Sequence, residues 1–125
     1  MLGLKTNDLF QQNAFIDGVW VEAQDQNRID VTNPANEEVI GSIPNMGKAE
    51  ALQAVESSYQ ALQSWKALTA QARADLLLAW YKLTLEHAED LARLMTIEQG
   101  KPLAEALGEV KYAASFIQWF AEEGK

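Results

Sequence analysis

The chain changes character near residue 46, and that switch limits what it can fold into. Residues before it are turn-rich and β-branched. Residues after it are rich in Ala, Leu, Glu and Gln, and no proline interrupts them until Pro102. Short strands followed by long helices read as an α+β arrangement, with strands over about residues 14–43 and about four helices over about residues 47–124.

The strand half is punctuated by turn chemistry. In Phe15-Ile16-Asp17-Gly18-Val19-Trp20-Val21, Asp-Gly suits a type I′ hairpin, whose two turn positions both need φ > 0. That register sets Phe15 opposite Trp20 as a cross-strand aromatic pair. A second strand is expected at Arg28–Thr32, with Ile29 and Val31 on one face and Asn33-Pro34 as its stop. A third runs from Val39 to Ile43 and ends at Pro44. None is long enough to stand alone.

From Lys48 the apolar period becomes helical. Leu52, Val55, Tyr59 and Leu62 recur at steps of three and four. Thr69 is the expected N-cap of a second helix bearing Leu76, Trp80 and Leu83 on one face, although Ala72 denies it a capping box. The pattern then runs on through Leu91, Leu94 and Met95 to Glu98, too long for one ordinary helix, so a break is expected near His87-Ala88. Gly100 is a C-terminal stop, and Pro102 suits position N1 of a last helix. That helix carries Leu103, Leu107, Val110, Ala114 and Ile117 on one face. The tryptophans and phenylalanines fall on apolar faces and are expected to pack in the core.

Composition removes several classes of function. The 125 residues contain no cysteine and one histidine, which excludes a disulfide scaffold, a zinc–thiolate site, a multi-histidine metal site and a cysteine nucleophile in this chain. The net charge of −8 argues against nucleic acid, which needs clustered Lys and Arg. No apolar run is long enough to span a membrane, and the start lacks a signal-peptide pattern, so a cytoplasmic protein is expected. The length suits one domain, burying about 65–70% of its unfolded surface.

Three motifs fail on their own terms. Gly41 to Lys48 places five residues between its glycines where a phosphate loop has four, and Ala49 replaces the magnesium-binding Ser/Thr. Asp25 to Asp30 lacks the glycine and closing glutamate of a calcium loop. There is no G-x-G-x-x-G fingerprint. His87, between Glu86 and Glu89, reads as a solvated helix residue. Glu98-Gln99-Gly100-Lys101-Pro102 is a turn whose two charged edges face either solvent or a second segment or ion.

Three stretches taken together resemble the beginning of an aldehyde dehydrogenase. They are Phe15 to Trp20, Thr32-Asn33-Pro34-Ala35 through Gly41, and Glu98-Gln99-Gly100-Lys101-Pro102-Leu103 through Ala106. The closing run Tyr112 to Glu123 is similar to the bacterial succinate-semialdehyde dehydrogenase branch, and glutarate-semialdehyde enzymes look much alike here. The resemblance implies that residues 1–125 are the N-terminal part of a cofactor-binding domain, with the catalytic domain absent. It implies NAD or NADP as cofactor of the full enzyme and an oxidation that runs through a cysteine thioester. The oxyanion asparagine, the glutamate base and the cysteine lie further along in the family, so this chain holds no catalytic residue. Alone it is expected to be inactive and to bind no cofactor. Its expected partner is the remainder of such an enzyme, or a second copy through exposed apolar faces. A free-standing helical interaction module is the competing reading. The resemblance further implies a monovalent cation at backbone oxygens of Val31 or Thr32 and the Glu98 carboxylate, and a substrate channel near Gly108 and Tyr112. One departure is local: Glu37 stands where the family carries glycine, so either Asn36 takes the left-handed position or the turn changes type.

Overall fold

The computed structural model describes residues 2–125, which divide into two units: residues 11–67, and residues 2–10 with 68–125. The first unit holds four strands and one helix. Strands β1 (Ala14–Ile16) and β2 (Val19–Val21) form the expected hairpin, with Phe15 opposite Trp20. Asp17 and Gly18 take φ of 54° and 78°, the two positive values that a type I′ turn demands. The Phe15 and Trp20 rings lie 5.0 Å apart and tilted by 57°. Strands β3 (Arg28–Thr32) and β4 (Val39–Pro44) make a second antiparallel pair. Its register slips between Val31 and Thr32, so that Ile40 is the extra residue of a bulge.

The turn between β3 and β4 carries a left-handed residue without a glycine. Glu37 itself adopts φ of 61°, while Asn36 stays out of the left-handed region. The Asn33 carbonyl accepts the N–H groups of Asn36 and Glu37, and the Asn33 side chain accepts that of Ala35. Those bonds fix the loop and force Glu37 into the conformation that a glycine would take freely. After Pro44 the chain enters α1 (Lys48–Ala67), which touches β1.

The second unit is helical: a 3-10 turn at Asn7–Leu9, then α2 (Ala70–Glu86), α3 (Ala88–Gln99) and α4 (Leu103–Glu123). Its punctuation follows the sequence closely. The Thr69 hydroxyl accepts the Ala72 N–H at 3.1 Å, closing the first turn of α2. Gly100 ends α3 at φ of 78°, with its N–H on the Thr96 carbonyl. Two expectations shift. Pro102 sits at the N-cap of α4 and Leu103 takes N1, because the proline is held extended with ψ of 136°. His87 is not a solvated helix residue but the half-buried joint between α2 and α3, its N–H on the Leu83 carbonyl.

The core is the larger correction. Every tryptophan is exposed, as are Phe15, Phe116 and Phe120. Helix packing is carried instead by alanine: Ala88, Ala92, Ala106 and Val110 form the buried cluster, with Leu91, Met95 and Leu107 against it. Ala74, Ala114 and Ala121 are also buried. Small side chains let helix axes approach closely, so the seam closes on methyl groups while the large apolar side chains point away from it. The faces carrying Leu52, Val55, Tyr59 and Leu62 on α1, and Leu76, Trp80 and Leu83 on α2, are uncovered in this chain.

Candidate functional site

Helix α4 has two apolar faces. One, running through Ala106, Val110, Ala114 and Ala121, is spent on the seam. The opposite one presents Gly108, Tyr112, Phe116 and Trp119, all exposed. Tyr112 and Phe116, one turn apart, meet edge to face with centroids 4.8 Å apart. Further along, an open hollow of about 590 Å³ includes Phe116, Trp119 and Phe120 in its lining. A helix apolar on both sides is built to be covered on both sides.

Gly108 lies within this second face. A Cβ built on it meets nothing within 4 Å, so no contact of this chain requires the glycine. Glycine inside a helix costs about 0.5–1 kcal/mol relative to alanine, which leaves the position without a local justification. The structure thus sets Gly108 and Tyr112, both named from the sequence, one turn apart on one exposed strip.

The other residues named from the sequence fall in different units. Val31 and Thr32 belong to β3, where Val31 is half-buried at the bulge. Glu98 is exposed in the last turn of α3. Carbonyl and carboxylate oxygens suit a hard cation by their chemistry. Among the described residues there is no group of three or more His, Cys, Asp or Glu placed to hold a metal. Lys101, at the other edge of the same turn, pairs with Glu109 on α4.

Two acidic residues that sequence reasoning missed are the buried ones. Glu50, at the third position of α1, accepts the N–H of Gly47 at 2.9 Å and that of Gln24 at 3.0 Å. These bonds, Gln24's foremost, hold its pKa below the usual 4.5. Asp90, at the third position of α3, accepts the N–H groups of Lys5 and Thr6 at 3.0 and 2.8 Å. Its pKa is likewise lowered, first by the Lys5 N–H. The Lys5 ammonium pairs with the exposed Glu89, whose hydrogen bond raises the lysine pKa and lowers the glutamate's. An acid three residues past Gly47 was a readable capping signal for Glu50; its bond to Gln24, and both bonds of Asp90, reach across the sequence and leave no local trace.

The comparisons decide the family. The model of the aldehyde dehydrogenase family matches residues 20–125. This chain belongs to the aldehyde dehydrogenase family. Its strands and helices match the N-terminal part of the aldehyde dehydrogenase fold. It is 57% identical over 124 residues to the NADP(+) succinate-semialdehyde dehydrogenase of Escherichia coli, covering 98% of this chain and 26% of that protein. It is also 57% identical over 122 residues to a glutarate-semialdehyde dehydrogenase of Pseudomonas aeruginosa, covering 98% of this chain and 25% of that one. A crystal structure described as an E. coli NADP-dependent enzyme superposes with a TM-score of 0.96 at 56% identity, over 98% of this chain and 25% of that chain. The chain therefore spans about a quarter of the length of the aldehyde dehydrogenases it matches.

Proposed function

We propose that residues 1–125 serve as the N-terminal part of the cofactor-binding domain of an NAD(P)-dependent aldehyde dehydrogenase acting on semialdehydes that carry a carboxylate at the end away from the aldehyde. The observation that carries this reading is the 57% identity over 98% of the chain to a succinate-semialdehyde enzyme. Equal identity to a glutarate-semialdehyde enzyme supports the substrate class and does not choose the chain length within it.

The residues present do not themselves fit a dinucleotide. There is no Gly-rich fingerprint, and the described strands form two antiparallel pairs and no parallel sheet that ends at a helix N-terminus. The nucleophilic cysteine of a thioester mechanism is not in this sequence. What this chain contributes is scaffold and one wall. Gly108 and Tyr112 are proposed to line the substrate channel, the glycine keeping the strip low beside the tyrosine ring. The cation carried over from the family would draw on Val31 or Thr32 carbonyls and on Glu98. The proposed partner is the rest of the enzyme, with self-association through the uncovered faces as its substitute. No described helix is long and apolar enough to cross a membrane; the proposed compartment is the cytoplasm.

The test is an assay of NAD(P)+ reduction with succinate and glutarate semialdehydes. The 125-residue chain should show none, and a chain that also carries the remaining three quarters seen in the relatives should turn over. Turnover by the 125 residues alone would sink the proposal. A cooperative, strictly monomeric melt with no activity in the longer chain would favour the interaction module.

A further inference from the structure

Helix α4 carries the acids Glu105, Glu109, Glu122 and Glu123 and a single basic residue, Lys111. Glu109 and Glu122 take their counter-charges from outside the helix, from Lys101 and Lys125. Lys111 is exposed and, among the described residues, forms no ion pair or side-chain hydrogen bond. The helical spacing explains this. Its neighbours one turn away are Leu107, Gly108, Ala114 and Ser115, so no acid of α4 stands where an i,i+3 or i,i+4 pair would form.

The place of this unpaired charge on the helix gives it a use. Gly108 lies one turn before it, and Tyr112 is next in sequence. The Cβ position of Gly108 faces open space, so a narrow ligand can lie against the helix backbone there. The ammonium flanks that opening with rotatable donors on a flexible stem. The chain as a whole carries a net charge of −8, and its field opposes an approaching anion. A cation that no neighbour neutralises offsets that field at one place beside the strip.

We propose that Lys111 receives the far carboxylate of a semialdehyde entering past Gly108 and Tyr112, and so favours acid-bearing aldehydes over neutral ones. This role rests on the strip's being a wall of the channel, as proposed above, and adds the group that reads the substrate's charge. The flexible stem lets one lysine follow semialdehydes of either length, in keeping with the equal identity to a succinate- and a glutarate-semialdehyde enzyme. An ammonium in contact with water holds a carboxylate weakly, so the effect falls on substrate preference and not on the chemical step.

The experiment compares kcat/KM for succinate semialdehyde with that for butanal, which has the same carbon chain and no carboxylate, in an active enzyme that carries this chain. In Lys111→Met the ratio should fall by about fivefold, and in Lys111→Glu by about tenfold or more, chiefly through KM for the semialdehyde. Lys111→Arg should hold the ratio within about twofold of wild type, since the charge is kept. A merely structural lysine would lower both substrates together and leave the ratio where it was. Wild-type ratios in Lys111→Met and Lys111→Glu would overturn the role of Lys111 and leave the semialdehyde activity, and so the proposed function, standing. So would a loss in Lys111→Arg equal to that in Lys111→Met. A longer chain that oxidises neither semialdehyde would overturn both.

Discussion

The densest node of residues 11–67 is a guanidinium; that of the helical unit is a row of alanines. Arg28 bonds the Ser42 hydroxyl and carbonyl at 2.8 Å each, the Asn13 side chain at 3.1 Å and the Gln12 carbonyl, with Glu22 at 3.4 Å. It joins the sheet of β3 and β4 to the segment before β1, where the buried apolar side chains are few, Ile16 and Ala23 among them. The helical unit closes on a different device. Its seam of Ala88, Ala92, Ala106 and Val110 depends on fit. Both units also use the same small device, a buried acid at the third position of a helix that accepts two backbone N–H groups. Glu50 spends one of its bonds on its own helix start, whereas Asp90 spends both on a distant segment. Short strands with little core are thus held by directional polar bonds, and long helices by shape.

Each side of that contrast can be broken separately. Arg28→Ala should cost most, about 3 kcal/mol, since it strands several partners of one charged group; a urea midpoint on the purified chain measures it. A loss under about 0.5 kcal/mol would mean the polar node is ornamental. Ala106→Leu should cost about 2 kcal/mol by overpacking a fully buried position, with the same readout. If it proves neutral, the seam is looser than its burial indicates. Smaller gains are expected from two relieved positions. Glu37→Gly should stabilise by about 1 kcal/mol by freeing the left-handed residue of the β3–β4 turn. Gly108→Ala should stabilise by about 0.5–1 kcal/mol, because the added methyl meets nothing within 4 Å. In an active enzyme that carries this chain, the same Gly108→Ala change should raise KM if the strip lines the channel. The last effect is full at neutral pH and fades only in acid. Glu50 has a folded pKa below 4.5, so its contribution is complete above that value and is lost as pH falls through the folded one. Melts of wild type and Glu50→Gln between neutral pH and pH about 3 should converge on the acid side.

Local chemistry was legible and long-range chemistry was not. The hairpin register, the Thr69 cap, the break at His87 and the Gly100 stop each depend on residues within a few positions of one another, and all appeared. Pro102 slipped by one position because the choice between cap and first turn rests on ψ, which proline does not fix. The core was misread for a physical reason. Tryptophan and phenylalanine dominate any periodicity count, whereas alanine adds little to it and still decides how closely two helices can lie. Glu37 was readable as an anomaly but not as its resolution, since the Asn33 bonds that hold it belong to the folded loop. Arg28 and Asp90 reach partners 14 to 16 and 84 to 85 residues away, and no spacing announces that. At the candidate channel, Gly108 and Tyr112 came from family resemblance, and the structure adds the uncovered face on which they lie.

The alanine seam has a consequence for how this sequence can drift. Apart from glycine, every replacement of alanine adds at least one heavy atom, so at Ala92, Ala106, Ala114 and Ala121 nearly all routes of change lead toward crowding. The aromatic strip on the far side of α4 has no such ratchet within this chain, since its side chains can shrink or grow into open space. A saturation scan read out by stability should therefore show one helix with two opposite tolerances, a row of near-silent positions backed by a row where almost nothing but alanine survives.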